Sequence, residues 1–431
     1  MELSYSVEPT TSPSDGERAP LLAHERPVSR LTSRRQAAVL VACMYMHLMS
    51  LGFTQFLGVV YVEFIRYFDA PRSLAALVQS LYQGMINIGG IAFSMSVARY
   101  GVGVPTIFAS AFGAFTLLVT VFSVNIYMVI VFIGLLCGVA MSNNYLCAFV
   151  AVGWTFKTQR RSALGALTMA TAAGQIVLPQ IAEATISRYG WTGACMVASG
   201  LMLNAVPCGM ILHFSRAYYV KEDLNNITNT NTPFCTCNSK RDIAFVLFLI
   251  ACTLYPGTGA VEMWFMVDLT VMRGYGRQAG TDLLSLLGIF GLFGRILGTF
   301  FMKFWPNVSS ALPFAVAFEF FGLGHFLVMY LTSYAGMVGG SAVRGLAIGG
   351  LWSLQPGMLL ELRGLARFPR SVAVCNFLSG TVQILSGYMG GSIADLTGGY
   401  DAAFYLAAVV AAFCGLLLVA VKILSPGKLT N

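Results

Sequence analysis

The chain has 431 residues, of which 10% are Asp, Glu, Lys or Arg and 57% are apolar, with glycine at 45 positions. Soluble domains carry about 25% charged residues, so a water-soluble enzyme is excluded, and a disordered chain would need far fewer apolar residues. The net charge of +8 comes from 26 Lys and Arg scattered among apolar runs; these cannot form the continuous basic face that phosphate binding needs, so no nucleic-acid partner is expected.

Residues 1–35 are rich in Ser, Pro, Thr and charge and read as a disordered tail without a signal-peptide core. Within it, Glu17-Arg18-Ala19-Pro20-Leu21-Leu22 fits the acidic-dileucine sorting pattern, which adds endosomal or lysosomal membranes to the plasma membrane as destinations. Twelve apolar stretches follow, at 37–62, 73–98, 104–124, 126–152, 162–184, 191–214, 243–265, 282–302, 309–332, 336–360, 371–394 and 401–421. Each is long enough to cross a hydrocarbon core about 30 Å thick, and each must be a helix, because only a helix satisfies its backbone within a single segment. The fold class is therefore all-α integral membrane.

A hydrophilic loop at 215–242 separates a six-span half, 36–214, from a second six-span half, 243–422, with a short tail at 423–431. Nineteen Lys and Arg fall on the side of the termini and five on the other, which predicts both termini in the cytosol. On that topology Asn226-Ile227-Thr228 and Asn307-Val308-Ser309 match the glycosylation acceptor but stay unmodified. Cys43, Cys137, Cys147, Cys195, Cys208, Cys252, Cys375 and Cys414 fall inside apolar runs and read as packing residues rather than disulfide partners. Cys235-Thr236-Cys237 lacks the further ligands of a zinc site, and no phosphate loop or nucleophile triad is present, so neither a cofactor nor an enzyme is expected.

The ionisable residues left inside spans are the candidates for chemistry. His47 and Phe56 lie in span one, Gln83 and Asn87 in span two, Asn143 and Asn144 in span four, Gln175 in span five, and Asn376 in span eleven. The amides either line a cavity or bridge helices, and Phe56 with Trp352 of span ten either forms an aromatic wall or packs the core. Glu262 sits near the end of span seven, where it can be solvated. Arg295 lies about fourteen residues into span eight, roughly 20 Å along the helix, too deep to snorkel easily. It either grips a substrate carboxylate or pairs with a membrane carboxylate such as Glu319. Glu319 of span nine and Arg344 of span ten sit at comparable depths, which points to a structural ion pair or, alternatively, a proton relay. Matched six-span halves with a cytosolic connector are the architecture of major-facilitator transporters, and the glycines of span ten, with Gly387 and Gly391 in span eleven, suit close helix packing.

Three segments carry a sharper signal. They are Gly391-Ser392-Ile393-Ala394-Asp395-Leu396-Thr397-Gly398-Gly399-Tyr400 with Phe404; Gly58-Val59-Val60-Tyr61-Val62-Glu63-Phe64 with Phe68; and Phe156-Lys157 with Arg160-Arg161, continued by Leu178-Pro179-Gln180 and Tyr189-Gly190-Trp191. With Leu362-Arg363-Gly364-Leu365, they make the chain resemble the monocarboxylate transporter family of the major facilitator superfamily. The resemblance implies an alternating-access transporter of a monocarboxylate or related small organic solute, with protons and a single-span ancillary membrane protein as further partners. It aligns Asn87 with the family's span-two pocket and Arg295 with its substrate-binding arginine. The chain departs from the family in lacking the opening D/E-G-G-W-x-W, and it has Phe56 and Gly291 where lactate-type, proton-coupled members carry Lys and Asp. The expected chain is thus a divergent member. A carrier of neutral or zwitterionic amino-acid-like solutes, and a non-transporting scaffold or sensor of the same fold, are the alternatives.

Overall fold

A computed structural model of the chain describes residues 33–156, 160–215, 240–305 and 308–424. The dileucine-like segment at 17–22, Lys157, Asn226, Cys235, Cys237 and Asn307 lie outside the described residues. The first four helices are α1 (Ser33–Phe68), α2 (Arg72–Tyr100), α3 (Gly103–Thr120) and α4 (Ile126–Thr155), the last widened to a π-helix over Ile130–Cys137. The long helix Arg160–Leu203 breaks at Gly190, where φ is 69° and ψ is −177°. This gives α5, 160–189, and α6, which starts at 191 and runs on through a turn at Asn204 to Phe214. Then come α7 (Lys240–Met272), α8 (Arg277–Phe304) and α9 (Ala311–Tyr330). Tyr334–Thr397 breaks at Gly364, with φ 69° and ψ 172°, into α10, 334–363, and α11, 365–397; α12 is Asp401–Leu424. Both breaks need a positive φ that a side chain would disfavour, and both glycines sit in the family-like segments.

Every predicted span corresponds to one helix. By length and apolarity alone, nine described helical stretches qualify for membrane crossing, one of them covering both α5 and α6. The two spans outside those stretches are α2, with Gln79, Gln83 and Asn87, and α10, with its glycines and Arg344. Those spans bury polar groups inside the bundle, which lowers their apolar content.

The bundle is drawn together where small residues meet. A Cβ on Gly380 of α11 would lie 2.7 Å from the Gly84 carbonyl of α2, and one on Gly84 would lie 2.7 Å from the Gly380 carbonyl. These helices therefore cross backbone to backbone, joining the first six spans to the last six. In α7, Pro256 has no N–H for the Cys252 carbonyl; the Ser379 hydroxyl of α11 donates to that oxygen at 2.9 Å. The eight described cysteines are buried and unbridged.

With twelve spans, the first and last helices have their chain ends on one face. At the opposite, distal face two of the family-like segments converge with the Tyr189-Gly190-Trp191 end of the third. The Asp395 carboxylate accepts from the backbone N–H of Arg72 at 2.9 Å and of Ser73 at 3.0 Å, capping α2 from α11. Arg72 Nε donates to Asp268 at 3.1 Å, Tyr400 Oη donates to the same carboxylate at 2.6 Å, and Tyr61 Oη lies 3.1 Å from Tyr400 Oη. Arg277 of α8 reaches Glu183 of α5 at 2.5 Å and also pairs with Glu63 of α1. Trp191 packs its indole against Phe64, Tyr67 and Phe68. The pairs Arg72–Asp268, Arg277–Glu63 and Arg277–Glu183 each tie the first six spans to the last six at this face.

Candidate functional site

A cavity lies between the two sets of six spans. Its wall is built from Leu51 and Thr54 of α1, Gln83 of α2, Gln175 of α5, Tyr255 to Trp264 along the Pro256 segment of α7, Ile348 and Trp352 of α10, and Gln383 of α11. About 470 Å³ of empty space falls within this wall, part of it open to solvent. The lining has the composition of a small-molecule site: mostly apolar, with a few convergent polar groups.

Arg295 stands behind one side of it. The residue is 5% exposed, its Nη2 is 3.4 Å from Gln175 Oε1, and its Cζ is 5.5 Å from the ring centroid of Trp352. Nε and Nη1 have no hydrogen-bond partner, and no carboxylate pairs with it among the described residues. The expected alternative pairing with Glu319 is therefore absent. On the other side, Thr54 donates to Gln83 Oε1, and Asn87 Nδ2 donates to Gln383 Oε1 at 2.7 Å and to the Gln83 carbonyl at 3.4 Å. Gln83, Gln175 and Trp352 thus line the cavity, while Asn87 reaches it through Gln383.

Four expectations are corrected. Phe56 is core, 1% exposed and stacked on Phe53 with ring centroids 5.0 Å apart, because its face of α1 packs into the bundle rather than against the cavity. Asn144 donates to Ser110 of α3 at 2.9 Å, so this amide bridges two helices. Glu262, expected near solvent, is fully buried: Ser341 donates to it at 2.7 Å and Arg344 Nε lies 2.8 Å away. Arg344 pairs with Glu262 and not with Glu319. The reason is helical phase. Glu319 and Gly322 lie on the face of α9 that meets Gly415 and Ala411 of α12, whereas Phe321 and Gly324, about 160° round the helix and so nearly opposite, meet Arg344. Glu319 itself is exposed. His47 is buried and stacked on Tyr145, centroids 4.8 Å apart. Tyr255, Trp264 and Gln383 were not singled out by sequence reasoning; Pro256 inside an apolar run, which frees a backbone carbonyl of α7, was the available signal in this part of the wall.

The family model described as Major Facilitator Superfamily matches residues 43–320. The chain belongs to this superfamily. It is a multi-pass membrane transporter homologous to monocarboxylate transporters. It is 22% identical to monocarboxylate transporter 6 of Mus musculus over 399 residues, covering 88% of this chain and 85% of that protein. Identity to monocarboxylate transporter 12 of Xenopus laevis is also 22%, over 90% of this chain and 88% of the relative, and monocarboxylate transporter 4 of Gallus gallus matches at 22% over 88% and 81%. Among solved structures, a POT family transporter in complex with 5-aminolevulinic acid superposes with a TM-score of 0.72 at 12% identity, covering 91% of this chain and 96% of that one. A POT in complex with alafosfalin gives 0.70 at 13% identity, over 93% and 100%. The transporter shares their fold.

Proposed function

We propose that the transporter moves a monocarboxylate or related small organic anion by alternating access, with Arg295 gripping the carboxylate. The observation that carries this reading is a buried guanidinium with two unengaged nitrogens beside the cavity. An arginine inside a membrane costs about 2.5–3.5 kcal/mol on insertion scales, so a lasting role should compensate it. Gln175 and Trp352 supply part of that compensation, and a bidentate carboxylate would supply the rest. Uptake of radiolabelled acids, amino acids and amines into vesicles carrying the purified protein tests this: acids are expected to enter, and entry of amines without acids would overturn it.

We read the distal face as extracellular, with both termini cytosolic, because the Lys and Arg excess lies on the termini side. Plasma-membrane residence, with endosomal sorting through the 17–22 segment, goes with that orientation. The ion pairs at Arg72 and Arg277 then act as the outer seal, opening when the halves rock. Arg277→Ala is expected to loosen it, raising the labelling rate of a Ser285→Cys reporter by an external maleimide about fivefold, equivalent to ~1 kcal/mol. An unchanged rate would remove Arg277 from the gate.

The cavity wall has no carboxylate among the described residues, and Glu262 is held by Arg344 and Ser341. We infer movement down the anion gradient without an obligatory proton. Uptake is therefore expected to be indifferent to an imposed pH gradient at fixed external pH; a steep response would reinstate proton symport.

A further inference from the structure

The cavity's open side-chain nitrogens are all donors. Arg295 has only donors, so the Gln175 atom facing it must be the oxygen, and Gln175 Nε2 is left over. Asn87 Nδ2 also faces the Gln83 backbone carbonyl, so it too must be the donor, and the Gln383 atom it meets is again the oxygen. Gln83 Oε1 is taken by Thr54. Nε2 of Gln83, Gln175 and Gln383 makes no hydrogen bond among the described residues, although the three side chains are between 6% and 8% exposed. Trp264, fully buried in the same wall, has an unpartnered Nε1–H, which can only donate. One nearby backbone acceptor, the Gly259 carbonyl, is covered by Arg344. Each side-chain carbonyl oxygen in the wall thus already accepts one hydrogen bond, the hydroxyls of Thr54 and Tyr255 spend their protons on Gln83 and Gln355, and the amide and indole N–H groups are the ones left open.

These donors form two groups. Gln175 and Arg295 stand with Trp352 on α5, α8 and α10; Gln83 and Gln383 stand on α2 and α11. The wall between them is largely apolar, with Leu51, Met263 and Ile348. We propose that the cavity selects an organic anion with an apolar body and hydrogen-bond acceptors at both ends: a carboxylate at Arg295, and a carbonyl, sulfonyl or second carboxylate at Gln83 and Gln383. This deepens the anion reading above and rests on it. A ligand ending in an ammonium would bring donors to donors with no carboxylate to meet its charge, so zwitterionic amino acids are rejected.

The test is competition for binding to the purified transporter by para-substituted benzoates of nearly one shape: 4-acetyl, 4-isopropyl and 4-(1-aminoethyl)benzoate, with unsubstituted benzoate as reference. The acetyl compound is expected to bind at least about tenfold more tightly than the isopropyl compound, which leaves the amides unpaired, and the aminoethyl compound more weakly still. Gln383→Glu replaces a donor by a carboxylate at unchanged shape and should narrow or invert the acetyl-to-aminoethyl ratio. If benzoate binds through Arg295 but the three substituted compounds bind alike, or Gln383→Glu leaves their ratio unmoved, the two-ended site is wrong and the anion site stands. If no benzoate binds, both fall.

Discussion

Arg295→Gln is expected to reduce the initial rate of organic-anion uptake about 30-fold or more at equal surface expression, the equivalent of at least ~2 kcal/mol of lost interaction with the carboxylate. Arg295→Lys should fall between wild type and Gln, since an ammonium keeps the charge but not the planar fork that meets two carboxylate oxygens. The variant is not expected to unfold. Arg295 is unpaired by any carboxylate among the described residues, so Gln leaves no acidic group stranded, and Gln can still bond to Gln175. Wild-type uptake of every acid by a well-expressed Arg295→Gln protein would refute the role.

Arg344 is expected to behave in the opposite manner. Arg344→Leu should destabilise the fold by about 3–5 kcal/mol, because it leaves Glu262 buried without its counter-charge and takes a donor from the Gly259 carbonyl. Replacing both partners, Glu262→Gln with Arg344→Leu, should recover much of that loss, since a neutral amide is far cheaper to bury than an unpaired carboxylate. Thermal unfolding of the detergent-solubilised variants reads both. If the double variant is as unstable as Arg344→Leu, the pair is not what costs stability there. The two intramembrane arginines therefore divide by partner: one is neutralised within the fold, the other left open beside a cavity.

That division was only half legible in the sequence. Depth within a span marks Arg295 and Arg344 as residues needing compensation, since the membrane penalty depends on local sequence alone. Which carboxylate compensates Arg344 depends on the rotation of α9 and α10 about their axes. Sequence position placed Glu319 at a suitable depth, but its phase turns it toward α12, while Glu262 arrives from α7. Phe56 and Asn144 failed for a related reason: an aromatic ring and an amide look alike in sequence whether they face a cavity or a neighbouring helix. Pro256, by contrast, removes one backbone donor from α7 whatever the packing, so a carbonyl must find another partner, though nothing in its neighbourhood pointed to Ser379, more than a hundred residues away.

By itself, the sequence determined the helical class, the number of spans, the superfamily resemblance and the two arginines within spans, Arg295 and Arg344, because each follows from local apolarity, length or a short motif. The distal convergence of Asp395 on α2, of Arg277 on Glu63 and Glu183, and of Tyr400 on Asp268 was decided only by tertiary structure. So was the outward-donor arrangement of Gln83, Gln175 and Gln383. Hydrogen bonds and ion pairs act over about 3 Å and in one direction, so their partners are set by how helices from distant parts of the chain are placed and turned.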